Sequence, residues 1–390
     1  MKLFLSLICA FLFPLLNAVA QNTITLDQEK LLEFYQGQRY TEAASYLQTV
    51  YGDGNDDPKQ LTQIAYTNLM AGNLPVAEKS YLKLYALQPN SMSVLFSLAS
   101  ISVRRGDDIK AMTFYKAVLK IDSTNFNVYK QMAALVDNPV SPEKITYLKK
   151  ANIINPLHPD VAFDLATAYN TLKKNDSAYH VLDTALTADT ANLSLLKAKM
   201  PVCIGLLKFD ETLKTGMKLL AYGDSSSYVL SNMGRVYFLK KEYQKAIEMY
   251  QAIERLQQPT ESTFYYTALC YRELKNYKKA EDYIKRSISE GISKFMAIYY
   301  QILGEINEKE GMVKNANAAY HKSLDYENTG GVYYNLGLIN DFKINNKKAA
   351  INYYKLYLAS KPDPESRKEV IEYVKLRIAD LKKTPAKTTK

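Results

Sequence analysis

The amino-acid sequence predicts an all-α solenoid built from short helix-turn-helix units. An alanine recurs at spacings of about 34 residues or about twice that value. A large apolar or aromatic residue follows each alanine four positions later. Residues four apart share one face of an α-helix, so each pair marks an amphipathic helix. Recurrence at this period is typical of stacked repeats. The alanines are Ala43, Ala77, Ala111, Ala178, Ala246, Ala280, Ala316 and Ala350.

Each repeat has a first helix upstream of this alanine, and segment 230–259 shows both helices most clearly. In its first helix Gly234 and Tyr237 lie on one stripe, and in its second helix Ala246 and Tyr250 do the same. The two small residues leave room for the helix backbones to approach closely, while the tyrosines fill the space beside them. The sequence therefore predicts a tight helix–helix contact at Gly234.

This pattern resembles the tetratricopeptide repeat family. The small–aromatic–alanine–aromatic–proline signature of that family is matched over roughly ten consecutive units. The resemblance implies a right-handed superhelical solenoid that binds proteins without catalysing a reaction, with its first helices lining a concave groove. Two repeats depart from the signature: the one at 126–158 has Lys144 or Ile145 in the alanine position, and the one at 193–226 has Thr212. The chain has no tryptophan, which the family favours near the start of the first helix.

Residues 1–20 are predicted to be a cleaved signal peptide. Lys2 precedes an apolar run, and Ala18-Val-Ala20 has the small residues of a cleavage site, so the mature chain should begin at Gln21. Cys9 lies inside the apolar run, which argues against its being a lipid attachment site. We therefore expect export to the periplasm or the extracellular space, and we expect no transmembrane segment.

The remaining chain is predicted to comprise three parts. Residues 21–362 form the repeat array, residues 363–383 a capping helix, and residues 384–390 a polar tail. The cap follows from apolar residues on one helix face with charges opposite, since a stacked array must cover its last apolar surface. These apolar residues are Ile371, Val374, Ile378 and Leu381.

Most of the net charge of +10 lies in the C-terminal part of the chain, residues 231–390. Such an uneven charge affects which partners are attracted and how fast they associate, but it does not predict the fold. Export disfavours a nucleic-acid partner despite this charge. An acidic protein, a polysaccharide or an anionic surface remains open.

The sequence lacks the signatures of a catalytic, metal or cofactor site. Cys203 and Cys270 stand a whole repeat apart, too far for a disulfide in a stacked array, and are expected to be buried apolar side chains. His158, His180 and His321 fall in three separate repeats, and none has a Cys or His at metal-ligand spacing. We therefore expect no enzymatic activity and no cofactor.

The partner site is predicted on the first helices. Tyr228, Tyr265 and Tyr334 lie off the packing stripe, and Arg235 and Arg272 share their side by helical spacing. The family resemblance implies that these residues point into the groove, where tyrosine and arginine often dominate binding energy. A partner segment with acidic and apolar residues would suit them.

Several alternatives stay open at this point. The chain could instead be an accessory protein that binds glycan or outer-membrane or secretion cargo. The convex face could bind in place of the concave one. The sequence leaves the identity of the partner, the pathway and the oligomeric state undetermined.

Overall fold

The computed structural model describes residues 25–52, 55–290 and 295–383. Within them every regular element is an α-helix, and the helices follow one another as hairpins. The chain divides into two compact blocks, residues 1–155 and residues 156–390. The all-α repeat solenoid expected from the sequence is thus confirmed.

The N-terminal block holds the first four hairpins. Its helices are α1 (Gln28–Gln36), α2 (Tyr40–Tyr51), α3 (Pro58–Met70), α4 (Leu74–Leu87), α5 (Met92–Arg104), α6 (Asp108–Ile121), α7 (Phe126–Ala134) and α8 (Pro142–Ile154).

The C-terminal block holds six further hairpins, which we number as repeats five to ten, and a last single helix. Its helices are α9 (Pro159–Thr171), α10 (Asn175–Leu186), α11 (Leu193–Gly205), α12 (Phe209–Ala221), α13 (Ser227–Leu239), α14 (Tyr243–Arg255), α15 (Glu261–Glu273), α16 (Tyr277–Glu290), α17 (Met296–Lys309), α18 (Val313–Leu324), α19 (Gly330–Phe342), α20 (Lys347–Ala359) and α21 (Lys368–Lys383).

A glycine in the first helix against a tyrosine in the second is the recurring contact of repeats seven, nine and ten. A Cβ atom on Gly234 would lie 2.8 Å from Cζ of Tyr250, and one on Gly337 would lie 2.5 Å from Cδ1 of Tyr354. No side chain fits at such a distance, so the glycine is what allows the ring to pack on the helix backbone. The predicted contact at Gly234 is confirmed.

The turns inside the hairpins share one backbone feature, except the turn between α7 and α8. The residue that reverses the chain adopts a left-handed conformation, with φ +79° at Gly72 and +75° at Gly106. Glycine reaches this region without steric cost. Other hairpins place a side chain there, such as Leu207 with φ +59° and Lys241 with φ +62°.

Repeat six keeps the hairpin although its sequence departs from the signature. Its first helix has Met200 in the small-residue position, and its second helix has Gly216 where other repeats have a large side chain. A Cβ on Gly216 would lie 3.2 Å from Cε of Met200 and 2.6 Å from Sδ of Met233. The large and small partners have therefore exchanged helices, and the interior stays filled.

The last helix, α21, buries Val374, Ile378 and Leu381, and Ile371 packs beside them at partial exposure. This is the apolar face expected for the capping helix. Residues 1–24 and 384–390 lie outside the described residues, so the predicted signal peptide and polar tail stay predictions. Every helix that the structure describes is too short or too polar to cross a membrane.

Candidate partner-binding surface

The first helices of repeats five to eight lie side by side in the C-terminal block. α9 contacts α11, α11 contacts α13, and α13 contacts α15. We call the surface formed by the first helices of repeats five to ten the first-helix face. All five residues predicted to bind a partner belong to it: Tyr228, Arg235, Tyr265, Arg272 and Tyr334.

A recess of about 390 Å³ opens on this face between α9, α11 and α13. Phe163 and Tyr228 are 37% and 46% exposed, although aromatic side chains of this size are usually buried. The recess is thus an apolar hollow flanked by exposed rings. Its walls are Phe163, Thr167, Asn170, Ser194, Lys197, Ala198, Pro201 and Tyr228.

Pro201 inside α11 leaves a backbone carbonyl free beside Tyr228. Proline has no backbone N–H, so it cannot donate to the carbonyl of Lys197 one turn earlier. The Tyr228 hydroxyl donates to that carbonyl over 3.4 Å. The Lys197 ammonium contacts Asp224 at 2.5 Å. Tyr228 and Lys197 therefore each have one polar contact within the chain.

Arg235 lies in a second recess, of about 430 Å³, between α13 and α15. Its side chain is exposed and forms no ion pair with any described residue. Hydroxyl and amide groups line the same recess, among them Ser231, Asn232 and Thr260. This recess offers a cation beside hydrogen-bonding groups.

Arg272 and Tyr265 differ from the free side chains expected. The Arg272 guanidinium contacts Glu305 of the next repeat at 2.9 Å and Glu273 at 3.0 Å. The Tyr265 ring packs 5.1 Å from that of Tyr299, centroid to centroid, and burial raises its pKa. The basic strip expected along this face is therefore neutralised at Arg272, and Tyr265 is partly a packing residue.

Tyr334 lies in a separate recess of about 460 Å³, between α17, α19 and the segment that precedes α21. Its ring is 5.4 Å from that of Tyr357, centroid to centroid. Glu305 and Arg367 also line this recess. Tyr228 and Arg235 thus share the recess between α13 and α15, and Tyr334 lies in a separate one.

A cluster of ionisable side chains lies away from this face, where α10, α11 and α12 meet. Lys199 is buried and contacts Asp183 at 2.9 Å and Glu211 at 2.7 Å. Burial alone would lower the pKa of Lys199, but the hydrogen bonds to Glu211 and Asp183 outweigh it and raise the pKa. The lysine stays charged and is no nucleophile. We interpret the cluster as an ion pair that ties repeats five and six together.

Sequence comparison agrees with this repeat geometry. The family model described as "Tetratricopeptide repeat" matches residues 330–364, which is repeat ten. The chain therefore contains a tetratricopeptide repeat. A second family model, described as "Anaphase-promoting complex, cyclosome, subunit 3", matches residues 207–287. No curated protein matches the chain.

Three solved structures with similar folds are each less than 20% identical to this chain. A tetratricopeptide repeat protein from Parabacteroides merdae is 16% identical, with 64% of this chain and 98% of that chain covered and a TM-score of 0.41. The human IFIT1 dimer with m7Gppp-AAAA is 16% identical, with coverages of 93% and 88% and a TM-score of 0.47. YrrB, titled a TPR protein with an unusual peptide-binding site, is 18% identical, with coverages of 47% and 93% and a TM-score of 0.40.

Sequence reasoning missed Phe163 and Pro201. Phe163 stands three residues before the small Ala166, the register at which Tyr265 and Tyr334 precede Ala268 and Gly337. Reading that register back along the chain would have found it. Pro201 gave no such signal. The sequence does not show which side chain donates a hydrogen bond to the Lys197 carbonyl that the proline leaves free.

Two cysteines of the described residues are free and buried, Cys203 in α11 and Cys270 in α15. Burial raises the pKa of each thiol to about 12. Because the thiolate is the reactive form, we expect neither cysteine to react with Ellman's reagent at neutral pH until the protein is unfolded. Rapid modification of the native protein would contradict this placement.

Among the described residues, no cluster of His, Cys, Asp and Glu has the make-up of a metal site.

Proposed function

We propose that this tetratricopeptide repeat protein is a non-catalytic scaffold of the bacterial cell envelope that binds a segment of a partner protein on its first-helix face. The observation that carries the proposal is the hollow between α9, α11 and α13, flanked by the exposed rings of Phe163 and Tyr228. Buried aromatic anchors contribute most of the binding energy in protein interfaces, and a recess of this kind could receive them.

The fixed walls of the recess support the same proposal. The Tyr228 hydroxyl contacts the Lys197 carbonyl and the Lys197 ammonium pairs with Asp224, and these contacts reduce the side-chain freedom that binding would remove. A surface already in its bound conformation binds with less entropic cost. The envelope location rests on the predicted signal peptide at residues 1–20, which supplies the export route.

Site-specific photocrosslinking tests the binding face. A photoreactive phenylalanine at position 228 is expected to capture a partner in envelope fractions of the native host. The same residue at Met217, which is 55% exposed on the second helix α12, is the matched control. We expect capture from position 228 and none from position 217. Capture from position 217 alone would move the site to the second helices.

The specificity of the captured band requires a competing change. Phe163→Ala leaves the photoreactive side chain in place but removes the ring on the opposite side of the recess. We expect it to reduce capture from position 228 by about tenfold, the loss for one interface anchor. Unchanged capture in this variant would reject the recess as the site.

A further inference from the structure

Three tyrosines in the second helices of the C-terminal block are almost completely buried: Tyr250, Tyr320 and Tyr354. Two of them donate their hydroxyl to an acid in the first helix of the same repeat. Tyr320 donates to Glu308 over 3.1 Å, and Tyr354 donates to Asp341 over 3.2 Å. In repeats nine and ten the carboxylate therefore accepts the hydrogen bond of the buried tyrosine hydroxyl.

Repeat seven has no acid at this place. Glu308 and Asp341 each follow the small residue of the first helix, Gly304 or Gly337, by four positions, and the residue four after Gly234 is Phe238. Tyr250 is 1% exposed, and its hydroxyl has no hydrogen-bond partner among the described residues. Buried polar groups without a partner are rare and costly, so this one calls for an explanation.

The Tyr250 ring also lies differently from its two counterparts. A Cβ on Gly234 would meet Cζ and Cε1 of Tyr250, the hydroxyl end of the ring. On Gly304 and Gly337 it would meet Cδ1 and Cε1 of the facing tyrosine. Tyr250 thus places its hydroxyl end at Gly234, beside Arg235, and both side chains line the recess of about 430 Å³ between α13 and α15.

The surroundings of this hydroxyl favour an acceptor with negative charge. Burial is the main cause that raises the pKa of Tyr250, with Cys270 and Tyr266 adding to it, and the Arg235 guanidinium acts in the opposite direction. The Tyr250 hydroxyl therefore stays protonated, and a hydrogen-bond acceptor placed beside it would stabilise it. Arg235 supplies an unpaired cation, and a guanidinium pairs well with a carboxylate.

We propose that the recess of repeat seven binds a carboxylate of the partner segment, held by the Arg235 guanidinium and the Tyr250 hydroxyl. The partner's carboxylate then takes the part that Glu308 and Asp341 play within repeats nine and ten. This inference rests on the proposed function, since it assigns the partner's chemistry on the same first-helix face. Of the two arginines predicted from the sequence, it assigns charge recognition to Arg235, because Arg272 is already paired with Glu305 and Glu273.

Selection from random-peptide libraries tests the carboxylate site. The full-length mature protein is the bait, and one library displays internal peptides while a second displays free carboxyl termini. We expect selected peptides to share an Asp, a Glu or a terminal carboxylate at one position, and the better library tells side chain from terminus. Replacing that group by an amide should weaken binding roughly tenfold, the loss of a charged hydrogen-bond partner.

Three variants decide whether Arg235 and Tyr250 hold the carboxylate. Arg235→Gln and Tyr250→Phe should each weaken the acidic peptide roughly tenfold and leave the amide peptide unchanged. Tyr320→Phe is the matched control, because it removes a hydroxyl already bonded to Glu308 and should not alter binding. Tyr250→Phe breaks no hydrogen bond within the described chain and should unfold at the same or a higher urea concentration.

The outcomes separate this inference from the proposed function. Peptides that bind without a fixed acid, or that bind Tyr250→Phe and Arg235→Gln as tightly as the unmodified protein, overturn the carboxylate site. If such peptides still compete with capture from position 228, the scaffold proposal stands alone. Failure to select any peptide also rejects the carboxylate site, while crosslinking judges the scaffold independently.

Discussion

Gly337→Ala is expected to lower the free energy of unfolding by about 1–3 kcal/mol, the usual cost of overpacking a filled interior. The added Cβ would lie 2.5 Å from both Cδ1 and Cε1 of Tyr354, and neither the helix backbone nor the buried ring has room to retreat. Alanine favours the helix over glycine by about 1 kcal/mol, so any net loss must come from the clash. Urea unfolding followed by circular dichroism measures it.

Gly331→Ala supplies the matched control in the same helix, α19. Gly331 is exposed, and a Cβ there would meet only the Gln301 amide nitrogen, at 3.9 Å. We expect this variant to unfold at the same urea concentration or a higher one. If Gly337→Ala were also neutral, the glycine–tyrosine contact would not limit the approach of the two helices. Tyr354→Leu in the Gly337→Ala background should recover part of the loss by removing the ring atoms that clash.

The sequence was sufficient for the fold because the repeat is redundant. An alanine followed four positions later by a large residue, such as Ala246 and Tyr250, recurs at eight places. One repeat that departs from the pattern therefore does not hide the register. Helix spacing then identifies the contact at Gly234, since residues three and four apart must share a face. The apolar face of α21 followed from the same spacing.

Repeat six shows where this reasoning stops. Met200 in the small position and Gly216 in the large one each look like a defect when read alone. They compensate only because both side chains enter the same space, which the structure reveals and one sequence does not. Total volume, rather than residue identity at one position, is what a core conserves.

The candidate surface was less predictable than the fold for a similar reason. Helical spacing places Arg272 on a first helix beside Tyr265, but it does not reveal that Glu305 of the next repeat lies 2.9 Å away. The missing partner of Tyr250 is equally invisible, because it appears only when the tyrosine is compared with Tyr320 in a folded repeat. Pairing between repeats depends on their stacking geometry.

Arg377→Met is expected to destabilise the C-terminal block by about 3–5 kcal/mol, the range for breaking a buried ion pair from one side. Arg377 of α21 binds Asp341 of α19 with two hydrogen bonds, Nε to Oδ2 at 2.8 Å and one terminal nitrogen to Oδ1 at 2.9 Å. The Asp341 side chain is only 2% exposed. Methionine keeps the aliphatic packing but leaves that carboxylate with the Tyr354 hydroxyl as its remaining partner.

The opposite change, Asp341→Asn, should cost less, because the Arg377 side chain is 27% exposed and keeps Asp380 at 2.7 Å. The ranking therefore separates a buried-charge penalty from simple loss of contact between α21 and α19. Combining Asp341→Asn with Arg377→Met should restore part of the stability lost in Arg377→Met alone, since no unpaired charge stays buried. Equal losses for the two single variants, with an additive double variant, would show that the pair contributes no more than ordinary packing. Urea unfolding of all three variants distinguishes these outcomes, and a loss confined to Arg377→Met would identify this ion pair as the bond that docks the capping helix.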